Sequence, residues 1–178
     1  MLARATGSTS EMPDVERIYV ACDVSNLWHS CRLQYGKRVR IDFDVLSKLV
    51  PSLSKSEVQQ KLVAYLVSNP KDNHHVLSQA LVGYGFCIRE RFLAYNKYNS
   101  IRTNWDVGIT IDAIHNLDEY DTFVLMSGDG DFSELLEYLK GYGKRTVVMA
   151  FGKTTSNDLR KAADSVIPLR ESVTHRLD

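Results

Sequence analysis

Arg17-Ile18-Tyr19-Val20-Ala21-Cys22-Asp23 is the stretch whose reading decides the fold: a compact apolar run closed by an acid. Without polar alternation, such a run has the pattern of a central strand buried on both faces of a parallel sheet. Asp23 then stands at the strand's carboxyl end, and the next helix is expected near Ser25 or Asn26, either of which can cap it.

Working outward, strand-length apolar runs alternate with segments of helical period. Asp42 or Asp44 opens a short helix over Val45, Leu46, Leu49 and Val50, and Pro51 to Ser56 is a loop. Lys61 to Val67 reads as the second strand, and Val76 to Tyr84 as part of a helix stopped by Gly85. Phe86 to Tyr95 alternates through Phe86, Ile88, Glu90 and Phe92, the period of a strand open on one face and suited to a sheet edge. Asp106 to Leu117 places Val107, Ile111, Ile114 and Ala113 at helical spacing, and Phe123 to Met126 is a short buried strand. Leu135, Leu136 and Leu139 mark a helix ended by Gly141-Tyr142-Gly143. Thr146 to Phe151 is the fifth strand, Ser156 opens a last helix, and Val166 to Leu169 is a final extended segment. This alternation is that of an α/β domain with a parallel sheet covered by helices.

The chain has 178 residues, 44% hydrophobic and 25% charged, which suits one domain with a real core. Residues 1–16 are poor in large apolar side chains and read as a flexible tail, 17–170 as the domain, and 171–178 as a C-terminal tail. No apolar stretch approaches the roughly 20 residues that cross a bilayer, and the N-terminus lacks a basic-then-apolar signal, so no membrane association and a cytoplasmic location are expected. Cys22, Cys31 and Cys87 are too few and too scattered for a disulfide framework or a zinc pattern. The 22 basic and 22 acidic side chains cancel, so any nucleic-acid contact must use a local patch.

The acids at strand ends carry the chemistry. In an open parallel sheet, ligands bind beyond the carboxyl ends of the strands, where connections depart to opposite faces. Asp23 follows the first strand and Ser127-Gly128-Asp129-Gly130-Asp131 follows the fourth, so adjacent first and fourth strands would bring Asp23, Asp129 and Asp131 together. Crowded carboxylates raise one another's pKa unless a cation offsets them, and Mg²⁺ or Mn²⁺ is the hard, oxygen-seeking ion for that purpose. Asp129 and Asp131 also suit the cap of the helix that follows, and Asp106 suits the start of its own. Asp112 lies six residues after Asp106, roughly 240° around a helix, so the two do not face one ion easily; Asp112 is expected to hold a basic residue or a water. Asn26 serves an aspartate, a phosphate or a helix cap. Ser127 and Ser156 serve a metal-held water or a turn and cap.

These blocks resemble the NYN domains, specifically the LabA-like (DUF88) group of the PIN-like nuclease fold. The resemblance is carried by Val20-Ala21-Cys22-Asp23-Val24-Ser25-Asn26 with its D-x-x-N, Asp106-Val107-Gly108-Ile109-Thr110-Ile111-Asp112-Ala113, Leu125-Met126-Ser127-Gly128-Asp129-Gly130-Asp131-Phe132, and the closing segment from Ser156 to Leu169. It implies a three-layer α/β/α sandwich with a central parallel sheet ordered 3-2-1-4-5. It also implies a metal-dependent ribonuclease acting on single-stranded RNA, with Asp23, Asp106, Asp129 and Asp131 as the acidic set, Asn26 beside them, and Asp112 in support. A lysine common about three positions before the Asp106 equivalent is here Thr103, with Lys97 or Arg102 near enough to substitute.

Lys97, Arg102 and Trp105 are the expected substrate contacts, within a stretch where basic and aromatic residues interleave from Tyr95 to Trp105. Arg89, Arg91, Lys153, Arg160 and Lys161 are further basic candidates, and Trp28 a further stacking one. A non-catalytic RNA-binding or regulatory module is the alternative. A D-x-D sugar transferase or a haloacid dehalogenase-type phosphatase would not use all four acids. A homodimer through the exposed alternating strand is compatible with the pattern.

Overall fold

The computed structural model describes residues 15–69, 75–93 and 104–176. The chain runs β1 (Val15–Asp23), α1 (Val24–Tyr35), β2 (Val39–Ile41), α2 (Phe43–Leu49), β3 (Glu57–Ser68), α3 (His75–Gly83), β4 (Phe86–Phe92), α4 (Asp106–His115), β5 (Thr122–Met126), α5 (Ser133–Gly141), β6 (Arg145–Phe151), α6 (Asn157–Ala162), β7 (Ser165–Leu169) and β8 (Thr174–Arg176). Six strands form one sheet in the order β4-β3-β1-β5-β6-β7, and every adjacent pair is parallel. The five expected strands stand in the expected 3-2-1-4-5 order. The difference is the final extended segment, which joins as a sixth strand, β7, beside β6.

Strand parity sorts the core into two layers. Ile18, Val20 and Cys22 of β1 face one side with Leu27 and Cys31 of α1, Leu46 of α2 and Leu81 of α3. Tyr19 and Ala21 face the other, with Ile109 and Ala113 of α4, Leu135, Leu136 and Leu139 of α5, and Leu159 of α6. Because both faces are covered, β1 and β5 carry no polar alternation, which is why each reads as an unbroken apolar run. Cys22 and Cys31 are buried free thiols, while Cys87 is exposed.

Three expectations are corrected. The helix after β1 is capped by Asp23 itself, whose side chain accepts the Asn26 N–H. In α4 the apolar residues at 107, 111 and 114 point outward, with Val107 68% exposed; Gly108, Ile109 and Ala113 form the buried face. Residues 171–176 are no tail: Val173 is buried, and β8 pairs antiparallel with β2 to tie the C-terminal segment onto the α1–α2 side. The helix expected over Val76 to Tyr84 is α3, and the turn after it uses Gly85 at φ +89°, a conformation that suits glycine. Among the described residues no helix is long and apolar enough to cross a membrane.

Candidate functional site

The parallel register of β1 and β5 pairs Cys22 with Met126, so the next residues, Asp23 and Ser127, meet at the carboxyl edge. Two hydrogen bonds tie the two connections together there, and a third shapes the turn after β5. The Asn26 side-chain oxygen accepts the Gly128 N–H at 3.0 Å, the Ser127 hydroxyl donates to Asp23 at 3.4 Å, and that same hydroxyl accepts the Asp129 N–H at 3.3 Å. Gly128 sits at a close approach: a Cβ there would lie 3.0 Å from the Thr154 carbonyl oxygen. Asp129 closes its own turn by accepting the Asp131 N–H at 3.1 Å.

The third contribution comes from α4. Asp106 is its first residue, and the helix start is pinned through Trp105, whose indole N–H donates to the Leu66 carbonyl at 2.7 Å. The Arg91 guanidinium lies 3.9 Å from the centroid of the same indole ring, and Gly108 packs so closely on it that a Cβ would sit 2.5 Å away. The Asn104 amide donates to the Asp106 carboxylate.

Carboxylate oxygens of Asp106, Asp129 and Asp131 thus come within 4.8 Å of one another. At that separation each pair of charges repels by about 1 to 3 kcal/mol for effective dielectric constants between water and a protein surface. The 170 Å³ cavity beside them is lined by Asp23, Ser25, Asn26, His29, Asn104, Trp105, Asp106 and Asp129. Asp23 lies outside the tight trio and forms the buried wall of this cavity, 8% exposed. Burial, with the charges of Asp106 and Asp129 added, pushes its carboxyl up to about 6, although the Asn26 N–H and the Ser127 hydroxyl act in the opposite sense. Burial and the charges of Asp129 and Asp131 also raise Asp106. An all-oxygen, hard donor set with mutual repulsion is the chemistry that a divalent cation relieves.

Asp112 turns away from this group, as its helical position predicted. It accepts from the Tyr65 hydroxyl at 2.9 Å and pairs with Arg89 at 3.2 Å, and the Tyr65 hydroxyl also lies 3.1 Å from that of Tyr19. Ser127 is a fully buried bridge between Asp23 and Asp129, and Ser156 caps α6 while its N–H donates to the Gly128 carbonyl at 3.0 Å. Trp105 departs from its expected use as a stacking surface: it is 7% exposed, with its indole N–H bonded and Arg91 over its face, so it props α4. Arg89 and Arg91 are engaged with Asp112 and with Trp105 and the Asn104 carbonyl. Lys97 and Arg102, like Tyr95 and Thr103, lie outside the described residues.

Sequence reasoning took Ser25 only as a helix cap and passed over His29 and Asn104. Ser25 and His29 are four residues apart, on one face of α1, and His29 is three beyond Asn26, so helical spacing from the D-x-x-N motif was the available signal. Asn104 offered only its position two residues before Asp106.

The NYN domain family model matches residues 17–170. The low amplitude and bright protein LabA of Synechococcus elongatus is 31% identical over 112 residues, covering 59% of this chain and 59% of LabA, so the chain spans about three-fifths of that relative's length. A crystal structure of a protein of unknown function from Vibrio parahaemolyticus is 29% identical, covers 90% of this chain and 96% of its own, and superposes with a TM-score of 0.79. With its acids at the carboxyl edge of a 3-2-1-4-5 sheet and a match over nearly all the described residues, the chain belongs to the NYN domain family and is LabA-like.

Proposed function

We propose that this NYN domain is a Mg²⁺- or Mn²⁺-dependent ribonuclease that hydrolyses phosphodiester bonds of single-stranded RNA. The observation that carries the reading is the convergence of Asp106, Asp129 and Asp131 within 4.8 Å, beside the buried Asp23. The donor set supports a divalent cation, and the phosphodiester class and the assignment to RNA both rest on family membership.

Asp106, Asp129 and Asp131 would hold the ion with their facing oxygens, and Asp23 completes the negative wall. When bound, a divalent cation supplies acidification of water and neutralisation of charge on the phosphate. The chain's own residues do the rest. Asn104 holds the Asp106 carboxylate, Ser127 sets the spacing of Asp23 and Asp129, and Asn26 tethers the turn that carries Asp129 to the start of α1. Asp23, with one oxygen accepting the Asn26 N–H and the other the Ser127 hydroxyl, is oriented to accept a proton from water entering the cavity.

Single-stranded RNA incubated with the wild type and with Asp129→Asn, each with Mn²⁺ and with EDTA, tests the reading. Cleavage is expected only from the wild type with Mn²⁺. RNA bound without Mn²⁺-dependent cleavage would instead select a non-catalytic RNA-binding module.

A further inference from the structure

A second cavity of about 400 Å³ opens at the same carboxyl edge, on the β3 side of β1. Its walls are mainly apolar, from Val24 and Trp28 of α1, Leu66 and Val67 of β3, Leu77 of α3, and Leu93. Ser25 and His29 line both this cavity and the acidic one, so α1 forms a shared rim with phosphate chemistry on one side and an apolar cleft on the other.

We infer that the apolar cleft is a nucleobase subsite, receiving the base of the nucleotide whose phosphate lies over the acids. This rests on the phosphodiester reading for what occupies the neighbouring cavity. The volume falls within the ~300–1,000 Å³ of ordinary ligand pockets, and the mix of apolar walls with a few polar groups is theirs as well. A single-stranded nucleotide presents a flat, apolar-faced base beside a charged phosphate, the same pairing of surfaces found across the rim. Trp28 is set for the purpose: the Arg32 guanidinium lies 4.2 Å from its ring centroid and the His29 ring meets it edge-on at 5.2 Å, so the indole is held in place before any ligand arrives. Ser25 and His29 on the rim stand where the sugar and phosphate oxygens of that nucleotide would pass. Trp105, the other tryptophan of the chain, is closed to this role by its burial.

The test uses the full chain, Ca²⁺ in place of Mn²⁺, and fluorescence anisotropy with a labelled single-stranded RNA and the same strand carrying abasic residues. The intact strand is expected to bind about ten-fold more tightly than the abasic one, as stacking of one base provides. Trp28→Ala and Leu77→Asp should reduce intact-strand affinity to the abasic level, and Trp28→Phe should restore most of it. Leu77 is 39% exposed, so its variant places a charge at the cleft without opening the core. Equal binding of intact and abasic strands by the wild type, or no effect of either variant, would overturn the subsite. Mn²⁺-dependent cleavage measured alongside separates the two readings. Cleavage that persists without base-dependent affinity removes the subsite alone, and base-dependent affinity without cleavage removes the nuclease alone.

Discussion

The side-chain oxygen of Asn26 accepts the backbone N–H of Gly128 at 3.0 Å, joining two residues 102 positions apart in sequence. Beyond the last paired strand residues, Cys22 and Met126, that bond ties the first turn of α1 to the turn carrying Asp129, and with the Ser127 bridge it sets how Asp23 and Asp129 stand to one another. Asn26 also receives the Ser30 hydroxyl at 3.4 Å, so its side chain is oriented from its own helix.

Asn26→Ala should therefore act on both stability and metal binding. It strands the Gly128 N–H in a partly buried place, at a cost of about 1–3 kcal/mol in chemical denaturation. Mn²⁺ affinity by titration calorimetry should fall with it, because the turn carrying Asp129 and Asp131 loses its tether. Unchanged affinity would show that the turn holds its shape alone.

Asp23 makes stability depend on pH in a stated direction. Its native carboxyl is pushed up to about 6, above the ordinary 3.8, so the folded protein holds this proton more tightly than the unfolded chain. The contribution is fully present below about 4 and is lost as pH rises through about 6. Asn cannot ionise yet retains an oxygen for the cap bond to the Asn26 N–H. Metal-free Asp23→Asn should be more stable than the wild type at pH 8, on the order of 1–3 kcal/mol, with the gap closing towards pH 4. Mn²⁺ at pH 8 should raise the wild-type melting temperature more than that of the variant.

Gly128 and Gly130 differ in what surrounds them. A Cβ at Gly128 would meet the Thr154 backbone oxygen at 3.0 Å, which can give only by a shift of the main chain, whereas at Gly130 it would meet the Ser156 hydroxyl, a side-chain atom, at 2.7 Å. Gly128→Ala should cost about 1–3 kcal/mol whatever accompanies it. Gly130→Ala should be partly relieved by Ser156→Ala, with a coupling of at least about 0.5 kcal/mol in a double-mutant cycle. Additive losses would show that Ser156 is not the obstacle.

Asp106 and Asp112 share one helix and should separate cleanly. Asp106→Asn is expected to reduce cleavage by at least about 100-fold and to abolish Mn²⁺ binding. Asp112→Asn keeps an acceptor for the Tyr65 hydroxyl and loses only a pair with a half-exposed Arg89, so stability should change by less than about 1 kcal/mol. Its Mn²⁺ affinity should stay within about two-fold of wild type. Equal losses from both variants would place Asp112 in the site.

By itself, the sequence determined the sheet and the family of acids. Runs such as Ile18 to Cys22 and Phe123 to Met126 are apolar on both faces, a demand that a strand covered on two sides makes and a half-exposed one does not. The D-x-x-N and S-G-D-G-D motifs lie immediately after those strands, so their position at the sheet edge was legible too. Only the tertiary structure decided what each neighbour does. Trp105 has the composition of a base-stacking residue, yet the end of β3 supplies a carbonyl for its indole and buries it. Val107, Ile111 and Ile114 carry the helical period of a core face, yet α4 turns Ile109 and Ala113 inward because its start is fixed through Trp105 and Gly108. Residues 171–176 looked like a tail until β2, more than 130 positions earlier, gave them a strand to pair with. These choices depend on contacts between residues distant in sequence, and local propensity and periodicity carry no information about which distant partner arrives.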